Sequence, residues 1–321
     1  MRTHMRRGAI LTLLVGLTSL APHARARDVV VDEVVRLAKE KALNRDVPDW
    51  PAVEREAHAL AAASPGEDGR TAAIRRVLAS LQDHHSSYRP PMQAAQSTPS
   101  KSAGPTSSAR PPIAFADLQP GRPARLVINA WSGGNEDVGS ATQTVRSELN
   151  KALSGSECGL VIDVSANHGG NMWPMMGGIA PLYDEGVLET FESVTGERQV
   201  VNVKDGILRM NESPFPRAEM NPVLTLPKRI ALVIGSRTAS SGEILALAFK
   251  GQKNVRSFGQ PTAGATSANK SIRLSNGGLL ALTTARILDR TGTAHAGPVL
   301  PDVLTDAAPH AASEWVATGC Y

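Results

Sequence analysis

From Asp28 to about Ser87, apolar residues recur at helix spacing. Val30, Val31, Val34, Val35, Leu37 and Ala38 form one stripe, and Ala57, Leu60 and Ala61 begin another. Between them NRDVPDWP (44–51) interrupts the pattern. Asp49 or Trp50 there precedes a new helix, with Pro51 suited to its first turn. A third helix is predicted over about Thr71 to Leu81, running out in Gln82-Asp83-His84-His85-Ser86-Ser87. Pro90 to Pro112 is rich in Pro, Ser, Gln and Ala and has no apolar period, which reads as a flexible connector. From Ile113 onward short apolar or β-branched runs take over: Arg125–Ala130, Leu160–Val164, Arg229–Ile234 and Leu279–Thr284. They alternate with helical patterns at about Asp137–Leu153, Met172–Tyr183 and Glu243–Lys250, the signature of an α/β domain with a largely buried sheet.

The ends and the charges change this picture at one place. Residues 1–26 join a basic start (Arg2, Arg6, Arg7) to an apolar run from Gly8 to Ala21 and small residues at Ala24 and Ala26, which reads as a secretory signal peptide. The run is short of the roughly 20 apolar residues that a membrane span needs. The expected organisation is a signal peptide (1–26), an N-terminal helical domain (27–89), a linker (90–112) and an α/β core domain (113–321). The formal net charge of +4 equals the four arginines of residues 1–26, where no acid occurs, so the remaining chain is formally neutral. A basic nucleic-acid or anionic-membrane surface is thereby excluded as the reason for the charge, and aromatics at 4% are too few for a base-stacking platform. Cys158 and Cys320 are free to pair in an oxidising compartment, but spacing alone does not bring them together.

Two strand-to-helix turns carry candidate chemistry. After LVIDV comes Ser165-Ala166-Asn167-His168-Gly169-Gly170-Asn171, whose adjacent glycines leave backbone N–H groups uncovered for an anion or a developing oxyanion. The same glycines also suit a plain tight turn. After RIALVIG comes Ser236-Arg237-Thr238-Ala239-Ser240-Ser241-Gly242-Glu243. A serine in such a turn is either an exposed nucleophile or, with Glu243 three residues on, a helix cap. A nucleophile needs a base, and His84-His85 offers one in a polar turn. No zinc, calcium, Walker or dinucleotide motif is present, and no cofactor or metal is expected.

Taken in order, DxHS, strand-NxGG, TASSGE and FGxPTAG resemble the tail-specific or C-terminal processing serine peptidase family. The likeness is strongest to its branch related to tricorn peptidase and the retinoid-binding-protein repeats. The matching text is DWPAVEREAHAL (49–60), LQDHHSSYRPP (81–91), LVIDVSANHGGNMWPM (160–175), IALVIGSRTASSGEILALAFKG (230–251), SFGQPTAGAT (257–266) and GPVLPDV (297–303). The resemblance implies a crotonase/ClpP-like core of repeated ββα units preceded by a small helical bundle, and cofactor-free hydrolysis of peptide bonds. By motif position Ser240 matches the nucleophile and His85 the general base. Ser241 matches one oxyanion-hole donor, and Gly169 or Gly170 its glycine partner.

The chain departs from the family pattern at three places. Where the processing branch has a lysine base after the glycine of Pro-Thr-x-Gly, this chain has Ala265; Lys250 and Lys270 lie nearby but do not match. Where the tricorn-like branch has a late glutamate, TAHAGPVLPD (293–302) offers only His295, so the group that orients His85 is unassigned. The usual peptide-binding PDZ module has no room in 90–112. The expectation is an exported, periplasmic serine peptidase acting on peptides or unfolded protein tails, with Glu243 as a helix cap and no membrane segment after signal cleavage. Its alternative is an inert relative that binds peptides or hydrophobic ligands on the same scaffold; an acyl-CoA enzyme of the crotonase type does not account for the Thr-Ala-Ser turn.

Overall fold

The computed structural model describes residues 27–96, 111–155, 159–215, 221–223 and 225–320. The signal-peptide stretch, most of the connector and Cys158 lie outside the described residues. In chain order the elements are α1 (Val29–Lys41), α2 (Trp50–Ala63), α3 (Glu67–Ser80), β1 (Ser87–Arg89), α4 (Pro91–Gln96), β2 (Ala114–Asp117), β3 (Ala124–Ile128), α5 (Val138–Ser154), β4 (Leu160–Asp163) and α6 (Met172–Gly178). Then follow β5 (Gly186–Ser193), β6 (Arg198–Lys204), β7 (Ile207–Met210), β8 (Ser213–Pro214), β9 (Ile230–Ile234), α7 (Ser241–Ala248), β10 (Val255–Gly259), β11 (Ser267–Arg273), β12 (Leu279–Asp289), β13 (Ala294–His295), β14 (Val303–Leu304) and α8 (Ala308–Ala317).

The three N-terminal helices form where the apolar stripes predict them. Asp28 caps α1 through its carboxylate, which accepts from the N–H groups of Val30 and Val31, and Asp49 caps α2 by accepting from Ala52 N–H. Their buried face does not close on itself. Val34, Ile74, Val77 and Leu81 share one core with Tyr88 of β1, with Leu280 and Leu282 of β12, and with Leu274 beside β11. The bundle is therefore docked on a sheet of the α/β part, and Leu43 N–H donates to Thr283 O across the junction at 2.8 Å.

Two sheets make up the rest. The first has the order β14-β10-β9-β4-β3-β2 and is parallel except for β2 at its edge. Its central strands, LVID and IALVI, are buried at every position because both faces are covered. Leu160, Ile162, Leu232 and Ile234 face α5, α6 and α7 in the main core, whereas Val161, Ala231 and Val233 face α8. The second sheet is antiparallel, with the order β1-β12-β5-β6-β7-β8. Its β12 joins the halves of the molecule: the start pairs with β1 and β11, the end with β5 and β13. This mixed α/β arrangement with preceding helices is the fold class expected from the sequence.

The structure differs from expectation in several elements. The predicted Met172–Tyr183 helix stops at Gly178 and continues as a 3-10 turn over Ala180–Leu182. Gly178 is there for packing, since a Cβ on it would lie 2.4 Å from Val145 of α5. The connector begins with the short helix α4. The meander β5–β8, the strands β1, β2, β10, β11, β13 and β14 and the C-terminal helix α8 have no counterpart among the predicted elements. Buried Arg146 of α5 ties this region together, donating to the carbonyls of Gly177, Gly178 and Asn221.

Candidate active site

Three chain segments leave the C-terminal ends of β4, β9 and β10 and are laced together, the position where parallel α/β sheets present their chemistry. Thr238 Oγ1 donates to Val164 O at 2.9 Å, and Ala239 N–H donates to Asn167 O at 2.9 Å. Ala263 N–H donates to Thr238 O at 2.9 Å, and Ser241 Oγ donates to Gly170 O at 2.5 Å. The turn after β9 is thus clamped from both sides.

At its apex Ser240 has φ 51° and ψ −116°, an uncommon backbone for a residue with a side chain. The turn is held there by Glu243, whose fully buried carboxylate accepts from Ser240 N–H at 2.8 Å and, through its other oxygen, from Gly264 N–H at 2.7 Å and Thr262 Oγ1. Glu243 does cap α7, as expected, but it also fastens the serine turn to the Pro-Thr-Ala-Gly loop (261–264). Nothing in the sequence pattern alone announced that second bond.

His85 arrives from the other side of the molecule, on the loop between α3 and β1. Asp83 shapes this loop, its carboxylate accepting from the N–H groups of His85 and Ser86 and from Ser86 Oγ. Ser86 Oγ in turn accepts from Thr283 N–H at 2.9 Å, and His85 O accepts from Asn269 Nδ2 at 3.0 Å. So placed, the half-buried His85 ring reaches Ser240 Oγ with Nε2 at 3.2 Å and Ser267 Oγ with Nδ1 at 2.9 Å. Burial lowers the His85 pKa below its ordinary 6.5, outweighing the opposing pull of Asp83 and Glu243. The imidazole is neutral at neutral pH, the state in which one ring nitrogen accepts a proton.

Gly169, Gly170 and Ser241 all lie at this point. A Cβ on Gly169 would stand 2.9 Å from Ser240 Cβ, so the glycine makes room for the serine side chain, and its φ of 107° suits glycine alone. The Gly169 N–H donates to Asn167 Oδ1 at 3.0 Å. Among the described residues the exposed Gly170 has no partner for its N–H, and Ser241 begins α7, where a helix has no carbonyl of its own to receive the N–H. Of the two glycines, Gly170 is the one with a donor to spare.

The remaining sequence candidates sit elsewhere. Lys250 and Lys270 are exposed, and neither is among the partners of Ser240. His295 pairs with Asp289 at 2.8 Å. Against the burial that pushes it up, hydrogen bonds from Thr291 and His295 bring the Asp289 pKa down to about 2. Among the described residues no group of three His, Cys, Asp or Glu side chains is placed to hold a metal ion. Ser267 is the site residue that the sequence left unassigned, because a serine opening a strand carries no motif.

Residues 124–305 match the model of peptidase family S41. The chain belongs to peptidase family S41. The nisin-resistance protein of Lactococcus lactis subsp. lactis is 31% identical over 192 residues, covering 60% of this chain and 59% of that protein. The chain thus spans less than two thirds of that relative's length. Among solved structures, a lipoprotein from Streptococcus agalactiae superposes with a TM-score of 0.74 at 23% identity, covering 90% of this chain and 96% of that one. The photosystem II D1 C-terminal processing protease gives 0.58 at 15% identity, covering 87% and 92%. At these identities the structural likeness is one of fold. Among the described residues no helix is long and apolar enough to cross a membrane.

Proposed function

We propose that this S41 member is an active, exported serine peptidase of the periplasm that cleaves peptides or unfolded protein tails with Ser240 as nucleophile and His85 as general base. The observation that carries this reading is the 3.2 Å approach of His85 Nε2 to Ser240 Oγ across 155 residues of sequence. Ser240 Oγ attacks the scissile carbonyl carbon as its proton passes to His85 Nε2. The resulting oxyanion is met by the N–H groups of Gly170 and Ser241, each such donor contributing roughly 3 kcal/mol in comparable sites. Imidazolium then gives its proton to the leaving amine, the C–N bond breaks, and an acyl-enzyme on Ser240 remains. Water, deprotonated by the same histidine, releases the acyl group as a carboxylic acid and restores the serine. Gly169 provides space for the nucleophile in this scheme. Residues 27–89 act as the helical unit that delivers the base, and residues 113–321 as the core that carries the nucleophile.

One observation favours the inert, ligand-binding alternative: among the described residues no carboxylate hydrogen-bonds the His85 ring. The two readings separate in a cleavage assay on unfolded protein and peptide libraries. We expect turnover by the wild-type protein that falls at least ~10³-fold in both Ser240→Ala and His85→Ala. No turnover above background, or turnover unaffected by Ser240→Ala, overturns the peptidase assignment.

A further inference from the structure

Ser240 and His85 leave one ring nitrogen unexplained. For Nε2 to accept the serine proton, the neutral imidazole must carry its own proton on Nδ1, and an Nδ1–H in a half-buried ring requires an acceptor. Each nearby carboxylate is occupied. Asp83 receives two backbone N–H groups and the Ser86 hydroxyl, and Glu243 receives Ser240 N–H, Gly264 N–H and the Thr262 hydroxyl. The group that faces Nδ1 is the hydroxyl of Ser267, at 2.9 Å.

We infer that Ser267 is the positioning residue of His85, a neutral hydroxyl that accepts the Nδ1 proton and so presents the Nε2 lone pair to Ser240. This rests on the reading of His85 as the base. Ser267 is fixed where the role needs it: it opens β11 in register with Arg286 of β12. Asn269, on the same strand just past the shift in the β11–β12 register after Ala268, donates to the carbonyl of His85. Asn269 is itself pinned by the hydroxyl of Thr283, which donates to its Oδ1 at 2.8 Å. One strand thereby holds the base at two points, ring and backbone.

A hydroxyl differs from a carboxylate in a measurable way. It selects the tautomer but adds no negative charge to stabilise the imidazolium, so it leaves the basicity lowered by burial unrestored. Ser267→Ala is therefore expected to lower kcat on the order of 10- to 100-fold with KM unchanged, and Ser267→Thr to restore most of it. Ser267→Asp is expected to move the acidic limb of the kcat profile upward by about one pH unit, because a carboxylate favours the protonated ring. The tautomer is read independently of turnover by ¹⁵N NMR of the imidazole in the full chain. Wild type is expected as the Nδ1–H form, and Ser267→Ala as a mixture with the Nε2–H form. An unchanged tautomer in Ser267→Ala, or an unchanged kcat in an otherwise active enzyme, overturns the assignment. If no variant, wild type included, shows turnover, it is the peptidase reading that fails, and the NMR result still decides whether Ser267 sets the ring.

Discussion

Single residues carry the strain of this site. Ser240 adopts a left-handed φ that costs roughly 1–3 kcal/mol in a residue with a side chain, offset by the bonds that pin its turn. Gly169 is packed against it so closely that one methyl group has nowhere to go. Gly169→Ala is accordingly expected to displace Ser240 Oγ by a fraction of an ångström or more and to lower kcat/KM by about 100-fold. Steady-state kinetics check this, alongside thermal denaturation to confirm that the variant is folded; wild-type kinetics would show that the glycine is only a turn residue. Ser240, His85 and the two glycines were legible because each stands in a motif that also dictates a turn. Ser267 was not legible: its partner is 182 positions away, and only the register of β11 on β12 brings the two together.

Among elements, helix α7 and the Pro-Thr-Ala-Gly loop behave as one unit through Glu243. Both oxygens of that buried carboxylate accept, so Glu243→Gln must turn an amide NH₂ toward a donor already in place. The expected result is a loss of about 1–3 kcal/mol in stability, read as a lower Tm, together with a fall in kcat as the Ser240 turn loosens. An unchanged Tm and kcat would reduce Glu243 to an ordinary cap. Legibility at this scale followed burial. The strands LVID and IALVI are buried throughout and stood out as continuous apolar runs. The β5–β7 strands and β11 alternate or expose polar residues, and β11, with Lys270 and Arg273 outward, resembles a loop in composition. Helix α8 is held by three small or branched residues, Ala308, Ala312 and Val316, too faint a stripe to announce itself.

At the scale of the molecule, Ser240 and His85, the proposed nucleophile and base, come from different parts of the chain and meet where the helical bundle docks on the antiparallel sheet. The core shared by α1, α3 and the start of β12 fixes the loop that carries His85, so this histidine is built into the scaffold. The same docking half-buries the ring and lowers its pKa. In the proposed mechanism only neutral His85 accepts the serine proton, and a pKa below 6.5 keeps it neutral to lower pH than an exposed histidine would be. Activity should therefore persist through pH 6.5 and fall only on further acidification, with no dependence on a lysine. The measurement that tests the central claim most directly is the rate of covalent labelling by a fluorophosphonate probe as a function of pH, for the wild type beside Ser240→Ala and His85→Ala. The predicted result is labelling confined to Ser240, lost in Ser240→Ala, strongly slowed in His85→Ala, and governed in the wild type by one acidic limb below pH 6.5. Absence of Ser240-dependent labelling, or a rate that rises only above about pH 9 in the range of a lysine, would contradict it.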